Sequence, residues 1–175
     1  MSQTVLITGA SNGIGKACAR VFARKGYDLV LVARHREKLE AVKAELSEYD
    51  VHIKVVVMDL TGEDAAVDLY NDLVLDDISI DILVNNAGFG DHGAFHDSSW
   101  EKQKKMVLLN IMALMQMTYV FGQSMKRRKK GRILNVASIA GLCAGPYMST
   151  YYATKAFVLS FSESIAYELK DYNVE

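Results

Sequence analysis

The sequence contains little cysteine and almost no proline. Of its 175 residues, two are cysteine, Cys18 and Cys143, and one is proline, Pro146. Two cysteines in a chain of this size do not indicate a disulfide framework, so we expect a protein of the reducing cytoplasm. The proline lies in GLCAGPYMS, which we expect to be a loop between the last strand and the last helix.

An excess of charge of either sign is also lacking. Lysine and arginine total 20 and aspartate and glutamate total 21, which gives a formal net charge of -1. This balance argues against a dedicated nucleic-acid binder, and it gives no reason to expect a membrane surface as a partner. The N-terminal MSQTVLITGA has no charged segment followed by a long apolar stretch, so no secretory signal is expected.

Only one apolar run approaches the length of a membrane span. It is MVLLNIMALMQMTYVFG, residues 106–122, and the basic run KRRKK follows it at 126–130. The run is shorter than the roughly 20 apolar residues that a span needs, and it carries Asn110 and Gln116. We therefore expect a helix buried in a core or in a dimer interface, with the basic run as its solvated end.

Strand-like and helix-like segments alternate along the chain. The strand-like runs are VLIT near the N-terminus, DLVLVA (28–33), HIKVVVMD (52–59), IDILVNNAG (80–88) and GRILNVAS (131–138). Helical stretches follow them; TGEDAAVDLYNDLVLDD is expected to open with a threonine cap, and the last helix is expected over about 149–172. This alternation predicts an α/β fold, a doubly wound parallel sheet with helices on both faces, in a single domain over residues 1–175.

The segment TGASNGIG, residues 8–15, separates the first predicted strand from the first predicted helix. Its glycines, Gly9, Gly13 and Gly15, permit positive φ and a close approach of the backbone to a pyrophosphate. The N-terminus of the following helix offers free N–H groups and a favourable dipole to the same anion. The loop is therefore either a phosphate site in a Rossmann fold or a tight turn without a ligand.

The end of the second predicted strand indicates which cofactor such a loop would serve. NAD enzymes of this architecture place an acidic residue there, which accepts hydrogen bonds from the ribose hydroxyls. The sequence has Ala33 and Arg34 at this place instead. Arginine pairs with a 2′-phosphate through its planar fork, so NADP(H) is favoured over NAD(H). The alternative is a surface arginine, and Lys16 is either an additional phosphate ligand or a solvated lysine.

Side chains suited to proton transfer follow in the C-terminal half. Tyr151 and Lys155 are four residues apart, which places both on one face of a helix, although such a pair alone is most often a surface feature. An ammonium near a phenol stabilises the phenolate, so such a tyrosine exchanges a proton near neutral pH.

Ser138 ends the fifth strand at the edge where ligands bind, or else it caps a turn. Asn110 lies in an apolar helix, where its amide needs a structural or catalytic partner.

Taken together, these motifs resemble the short-chain dehydrogenase/reductase family, in its short, single-domain, NADP-preferring branch. TGASNGIG matches the TGxxxGxG cofactor loop, NNAG matches at 85–88, and Asp59 matches the acid after the third strand. The Asn–Ser–Tyr–Lys tetrad of the family matches, in order and spacing, at Asn110, Ser138, Tyr151 and Lys155. The resemblance extends from Thr4 to the last helix, which is nearly the whole chain.

The resemblance implies an oxidoreductase that transfers a hydride between NADP(H) and a carbonyl compound or secondary alcohol. Tyr151 would be the general acid or base, Lys155 would assist it and hold the nicotinamide ribose, and Ser138 would orient the carbonyl. Asn110 would fix a water in a proton relay. The implied cofactor contacts are Gly9, Ser11, Asn12, Gly13, Ile14, Gly15, Arg34, Asp59, Leu60, Asn86, Ala87, Gly88, Tyr151 and Lys155. A homodimer or homotetramer, paired through the apolar helix and the last helix, is also implied.

The loop GDHGAFHD, which follows NNAG, contains His92 and His96 with acidic neighbours. Its two glycines disfavour a helix, so the spacing of four does not bring the two imidazoles together, and no metal is expected. We expect instead a loop that borders the substrate pocket, in which Phe95 or His96 touches the substrate.

The chain ends at DYNVE, where the family continues into a sixth strand, a Pro-Gly turn, a segment that covers the substrate and a seventh strand. We therefore expect a sheet without the last two strands, whose fifth strand lies at an exposed edge that favours association or low stability. A fragment of a longer product is favoured over a naturally short chain. The alternative function is a non-catalytic nucleotide-binding module or an inactive fragment.

Overall fold

In the computed structural model, which describes residues 2–175, five strands form one parallel sheet. The strands are β1 (Thr4–Thr8), β2 (Asp28–Ala33), β3 (Ile53–Val57), β4 (Ile82–Asn85) and β5 (Arg132–Asn135). Their order is β3-β2-β1-β4-β5, and every neighbouring pair is parallel. The chain winds from β1 to one edge, returns beside β1 at β4 and continues to the other edge. The predicted doubly wound α/β fold is confirmed.

Helices connect the strands where the sequence predicts them. They are α1 (Gly13–Arg24), α2 (Arg36–Glu45), α3 (Ala65–Leu75), α4 (Trp100–Val107), α5 (Leu114–Arg128) and α6 (Ser149–Leu169). A π-helical turn, Leu108–Ala113, joins α4 to α5 without a break, so the apolar run lies within one longer helix. After α6 a 3₁₀ turn covers Lys170–Tyr172, where the sequence predicts a continuous helix.

The sheet is buried on both faces because its side chains alternate between them. Leu6, Val30 and Leu83 point to the face that α3 and α5 cover. Their neighbours Val5 and Ile7 point to the face that α1 and α2 cover. All five side chains are at most 1% exposed. Burial on both faces explains why the strands are continuous apolar runs in the sequence rather than alternating ones.

The helix formed by α4, the π turn and α5 is 29 residues long and, by length and composition alone, apolar enough to cross a membrane. On one side of it, Met117, Phe121 and Met125 are almost fully buried against the sheet. The prediction of a helix packed in the core is confirmed for this side. Met112 and Tyr119 are more than half exposed and form the surface available for the predicted pairing of subunits.

Strand β5 lies at the edge of the sheet, but this edge is not fully open. Glu175 N donates to Gly131 O at 3.1 Å, and Ile133 N donates to Glu175 O at 2.7 Å. Val174 forms a parallel bridge with Gly131 and is buried. These contacts pair the beginning of β5, whereas Leu134 further along is 49% exposed. The unpaired edge is shorter than the sequence predicts, and association through it stays a prediction.

The start of α3 corrects the prediction of a threonine cap. The helix begins at Ala65, with Asp64 before it, and no side chain caps it. Thr61 instead donates from its backbone N and from Oγ1 to Asp59 Oδ1, at 3.0 and 2.9 Å. A local turn of this kind competes with helix capping because the acceptor is only two residues away. The turn also orients the Asp59 carboxylate.

Candidate functional site

A cleft of about 800 Å³ runs along the carboxyl ends of the strands. It includes the place between β1 and β4 where the strand order reverses, which is where open α/β sheets bind ligands. The predicted site residues that line it are Gly9, Ser11, Asn12, Ile14, Arg34, Asp59, Leu60, Asn86, Ala87, Gly88, Tyr151 and Lys155. The loop after β1, the residues after β2 and β3, and the start of α6 therefore contribute to one site.

Two close contacts shape the glycine loop between β1 and α1. Gly9 has φ +65°, and a Cβ there would lie 2.9 Å from Asn86 Nδ2. A Cβ on Gly15 would lie 2.4 Å from the Gly9 carbonyl oxygen, so the first turn of α1 packs directly on the loop. Gly13 and Gly15 do not line the cleft, although the sequence predicts them as cofactor contacts. They shape the loop through the backbone rather than by facing the ligand.

The N-terminus of α1 lies beside the cleft with its backbone donors uncapped. Asn12 precedes the helix without a side-chain cap, and the first turn contains no acidic residue. Ser11, Asn12 and Ile14 all line the cleft, so the free N–H groups of this turn are available to an anion there. This arrangement fits the pyrophosphate of a dinucleotide.

Asn86 and Thr8 tie the glycine loop to the end of β4. Asn86 Nδ2 donates to Thr8 O at 3.0 Å and to Gly9 O at 3.3 Å. Thr8 Oγ1 accepts from the backbone N of Asn86 and of Ala87, at 2.9 and 3.0 Å. Asn86 is predicted only as a cofactor contact, and the structure shows that its amide also holds the loop. Thr8 begins the TGxxxGxG motif, but its hydrogen bonds to the backbone after β4 are not among the predicted roles.

Basic side chains line the cleft beyond the end of β2. Arg34 is the predicted one, and His35 and Lys38 join it at the start of α2.

Asp59 lines the cleft as well. Partial burial disfavours its charged form, but the hydrogen bonds from Thr61, together with the positive charges of Arg34 and Lys105, outweigh burial and lower the pKa of Asp59. Its carboxylate is therefore a hydrogen-bond acceptor at neutral pH.

Lys16 does not join this group. It pairs with Glu45 of α2, with 2.6 Å between Nζ and Oε1, and Arg20 approaches the same carboxylate at 3.2 Å. Lys16 lies outside the cleft lining, so the structure supports the surface alternative for this residue. Exposed ion pairs of this type contribute little to stability.

Tyr151 and Lys155 lie about one turn apart on α6, and both line the cleft. Lys155 is 7% exposed, and its Nζ donates to Val136 O at 2.7 Å. The same Nζ lies 6.0 Å from the centroid of the Tyr151 ring. Burial lowers the pKa of Lys155, because its ammonium loses water. The pair is a cleft-lining tyrosine beside a buried lysine and not an exposed surface pair.

Replacing Lys155 by methionine is expected to stabilise the protein at neutral pH. Because the folded-state pKa of Lys155 is lowered, the folded chain binds fewer protons than the unfolded chain between the two pKa values. The unfavourable contribution of the lysine is complete below the folded pKa and disappears as the pH rises to the unfolded value of about 10.4. We therefore expect a higher Tm for the variant than for the wild type at neutral pH.

Thermal unfolding of the wild type and of Lys155→Met, between about pH 7 and pH 10, measures this gain. The difference in Tm should shrink as the pH rises. Lys104→Met, at an exposed position of α4, is the matched control and should leave Tm nearly unchanged. A Lys155→Met protein that is less stable than the wild type at neutral pH would contradict the prediction.

Asn110 lies in the π turn, is 2% exposed and makes three hydrogen bonds. Its Nδ2 donates to Phe89 O at 2.9 Å and to Thr154 Oγ1 at 3.1 Å, and its Oδ1 accepts from Phe89 N at 3.1 Å. Gly88 leaves room for these contacts, because a Cβ there would lie 2.9 Å from Asn110 Oδ1 and 3.9 Å from Lys155 Nζ. The buried amide therefore has hydrogen-bond partners, and those in the structure are the Phe89 backbone and the Thr154 hydroxyl. Asn110 joins the loop after β4 to α6 without lining the cleft.

Ser138 follows β5 but does not line the cleft. It precedes a 3₁₀ turn, Ile139–Leu142, and its Oγ accepts from Ala140 N at 3.2 Å. Of the two roles that the sequence leaves open, this turn cap is the one that the structure displays. A hydroxyl that accepts a hydrogen bond keeps its own hydrogen to donate, so the cap does not remove Ser138 as a donor.

The loop after β4 contributes residues that the motifs miss. Asp91 and His92 line the cleft, as does Met148 just before α6. Phe95 and His96, which are predicted to touch the substrate, lie in an exposed 3₁₀ turn outside the cleft lining. Just before this turn, the backbone N of Gly93 donates a hydrogen bond to Tyr147 O, in the loop before α6. The loop that contains Asp91 and His92 is predicted to border the substrate pocket, but neither residue is predicted as a contact. Residues 2–175 contain no cluster of three potential metal ligands.

Comparison with known proteins extends over nearly the whole chain. A sequence model of the family described as short chain dehydrogenase matches residues 3–175. A curated very-long-chain 3-oxoacyl-CoA reductase of Coccidioides immitis is 36% identical over 175 residues, which cover 97% of this chain and 50% of that protein. The chain spans about half the length of several curated relatives that it matches.

Solved structures share the fold and carry either nicotinamide cofactor. A short-chain dehydrogenase from Sphingobium yanoikuyae in complex with NADPH has a TM-score of 0.92 and 38% identity, over 98% of this chain and 68% of that chain. A 4-hydroxyisoleucine dehydrogenase complexed with NADH has a TM-score of 0.90 and 28% identity, over 99% of this chain and 70% of that chain. The sequence match and the shared fold together show that this chain belongs to the short-chain dehydrogenase family.

Proposed function

We propose that this chain acts as an NADP(H)-dependent oxidoreductase on a carbonyl compound or secondary alcohol, through Tyr151, Lys155, Ser138 and Asn110. The observation that carries the proposal is the single cleft lined by both the glycine loop and the Tyr151–Lys155 pair. A phosphate-binding loop alone would support nucleotide binding, whereas a tyrosine beside a buried lysine adds proton transfer. The reductase and dehydrogenase names of the relatives support the same reaction class.

When bound, the nicotinamide would supply or accept the hydride, which leaves the proton to the residues of the chain. The Tyr151 hydroxyl donates a proton to the carbonyl oxygen in reduction, and its phenolate accepts one from the alcohol in oxidation. Lys155 beside the ring stabilises the phenolate. Ser138 Oγ accepts from Ala140 N and keeps its own hydrogen to donate to the same oxygen. Asn110 positions α6 through Thr154.

The proposed preference for NADP(H) rests on the basic end of the cleft. Arg34, His35 and Lys38 line it. Strand β2 ends at Ala33, where an NAD enzyme of this architecture has an acidic residue. Arg34 would hold the 2′-phosphate through paired N–H groups. The NADPH-bound and NADH-bound neighbours show that the fold accepts both cofactors, so the argument depends on these side chains.

A second function, nucleotide binding without turnover, has one specific observation in its favour. Ser138 Oγ accepts from Ala140 N, and neither Ser138 nor Asn110 lines the cleft. In that case the cofactor is held by the glycine loop and Arg34, and no hydride is transferred.

Consumption of NADPH in the presence of small aldehydes, ketones and diketones distinguishes the two functions. The proposed oxidoreductase gives a loss of NADPH absorbance that depends on the carbonyl compound, with slower loss from NADH at equal concentration. A chain that binds NADPH in a fluorescence titration and consumes none of it with any carbonyl compound supports the second function. Absence of NADPH binding overturns both.

We also propose a single domain in a cytoplasmic homodimer or homotetramer. Met112 and Tyr119 on the long apolar helix and Tyr167 on α6 supply exposed surface for pairing. Cys18 and Cys143 are both free thiols, which supports a reducing compartment.

A further inference from the structure

Tyr147, in the loop before α6, has a backbone conformation that is unusual for its residue type. Its φ is +64°, in the left-handed region that glycine and asparagine adopt far more readily than an aromatic residue. Such a conformation persists only where surrounding contacts hold it, and it is found most often at sites of function. Tyr147 is also 62% exposed, so burial of its ring does not explain the strain.

Two contacts hold Tyr147 against the loop after β4. Its carbonyl oxygen accepts from Gly93 N at 2.8 Å. Its ring stacks on the imidazole of His92, with 6.1 Å between the ring centroids and 28° between the planes. His92 lines the cleft, and so does Met148, the next residue after Tyr147. The strained conformation therefore places an aromatic ring at the border of the cleft and leaves much of that ring uncovered.

Apolar side chains line the cleft together with His92, and the charged lining residues of the loop after β4 and of α6 are paired or bonded. Phe89, Leu109 and Met148 line the same cleft. The carboxylate of Asp91, which also lines it, forms an ion pair with Lys102. Lys155 is buried and bonded to a backbone carbonyl. The other lysine and the arginine in the cleft lining follow β2, so no lining cation is left beside His92 to pair with a substrate carboxylate or phosphate.

We propose that His92 and Tyr147 form the recognition surface for a neutral carbonyl substrate, one that carries an apolar ring next to the reacting carbon. Uncovered aromatic faces bind planar apolar groups by stacking, and an apolar border without free cations disfavours an anionic substrate. The inference rests on the proposed oxidoreductase function. It assigns Tyr147 as a specificity-determining residue that no motif of the chain includes.

The test compares three ketones on the full chain with NADPH: propiophenone, which is neutral with a ring, butanone, which lacks a ring, and benzoylformate, whose ring is accompanied by a carboxylate. Tyr147→Gly removes the ring and suits the left-handed backbone, so it should fold at least as well as the wild type. It is expected to raise KM for propiophenone about tenfold, with kcat and the KM for butanone nearly unchanged. Tyr147→Phe keeps the ring and should behave as the wild type.

Two further variants and one binding measurement complete the test. His92→Ala should also raise KM for propiophenone, and His52→Ala, at an exposed histidine outside the cleft lining, should not. Saturation-transfer NMR detects propiophenone on the NADP⁺-loaded chain without any turnover. A propiophenone signal that is lost only in Tyr147→Gly and His92→Ala supports the inference, whether or not NADPH is oxidised. Failure to oxidise NADPH would contradict the proposed function and not the inference. No propiophenone binding to the wild type, equal KM changes for both neutral ketones, or a preference for benzoylformate would overturn the inference.

Discussion

Replacing Tyr151 by phenylalanine is expected to lower the rate of NADPH-dependent carbonyl reduction by roughly a hundred- to ten-thousand-fold. The substitution removes only the hydroxyl, which is the proposed proton donor. The ring is retained, and with it the close packing at Gly90, where a Cβ would lie 3.1 Å from the Tyr151 ring. Lys155 keeps its bond to the Val136 carbonyl oxygen. The affinity for NADPH should therefore change little while kcat falls.

Steady-state kcat and a fluorescence titration with NADPH measure the two quantities separately. Tyr152→Phe is the matched control, because it is the next residue of α6 and does not line the cleft. Its ring packs at Gly145 instead, where a Cβ would lie 2.4 Å from it. The control should keep its activity. Equal kcat in the wild type and in Tyr151→Phe would exclude the proposed mechanism, and equal losses in both variants would indicate damage to α6.

Replacing Arg34 by alanine is expected to weaken NADPH binding by roughly ten- to a hundredfold and to leave NADH binding nearly unchanged. The two cofactors differ only in the 2′-phosphate, so the difference isolates the contacts of that group. Hydrogen bonds to a charged group contribute about 1.5–3 kcal/mol each, which corresponds to this range. His35 and Lys38 remain beside the phosphate position, so some preference for NADPH should survive.

Fluorescence titrations of the wild type and of Arg34→Ala, each with NADPH and with NADH, give the four dissociation constants that this prediction needs. Arg36→Ala removes the same charge two residues further along and outside the cleft lining, where Arg36 lies 4.0 Å from Glu40. This control should change neither affinity appreciably. Equal losses of NADPH and NADH affinity in Arg34→Ala would show that Arg34 supports the loop after β2 and does not bind the 2′-phosphate. A further loss in the double variant with Lys38→Ala would assign the remaining preference to the lysine.

Much of the fold was predictable because the signals for it are local. A strand buried on both faces is a run of branched apolar residues, as in Val5 to Ile7, and it needs no knowledge of the rest of the chain. The π turn at Leu108–Ala113 was not predictable in this way, because its composition matches that of the flanking helix. Its position coincides with Asn110, whose bonds reach Phe89 and Thr154. Such distant partners leave no periodic pattern.

In the candidate site, too, the residues with local signals were predictable and the roles that depend on distant segments were not. Gly9 and Arg34 were predictable because each follows a strand end at which parallel sheets bind ligands. Tyr151 was predictable from its spacing of four residues to Lys155 on one helix face. The role of Asn86 as a support for the glycine loop was not predictable, because it depends on β4 lying next to β1. The sequence leaves two roles open for Ser138, and the structure shows that its Oγ accepts from Ala140 N.

The sequence by itself determined the elements, the glycines that the loop after β1 requires, and the helical spacing that sets Tyr151 beside Lys155. These depend on backbone geometry over a few residues, which side-chain type controls directly. Only the tertiary structure decided the strand order and the burial of Lys155. It also decided the position of Phe95 and His96 outside the cleft lining, and the strained conformation of Tyr147 against His92. Each of these arises where segments far apart in the chain come into contact, and the free energy of such a contact belongs to the pair of segments and not to either one alone.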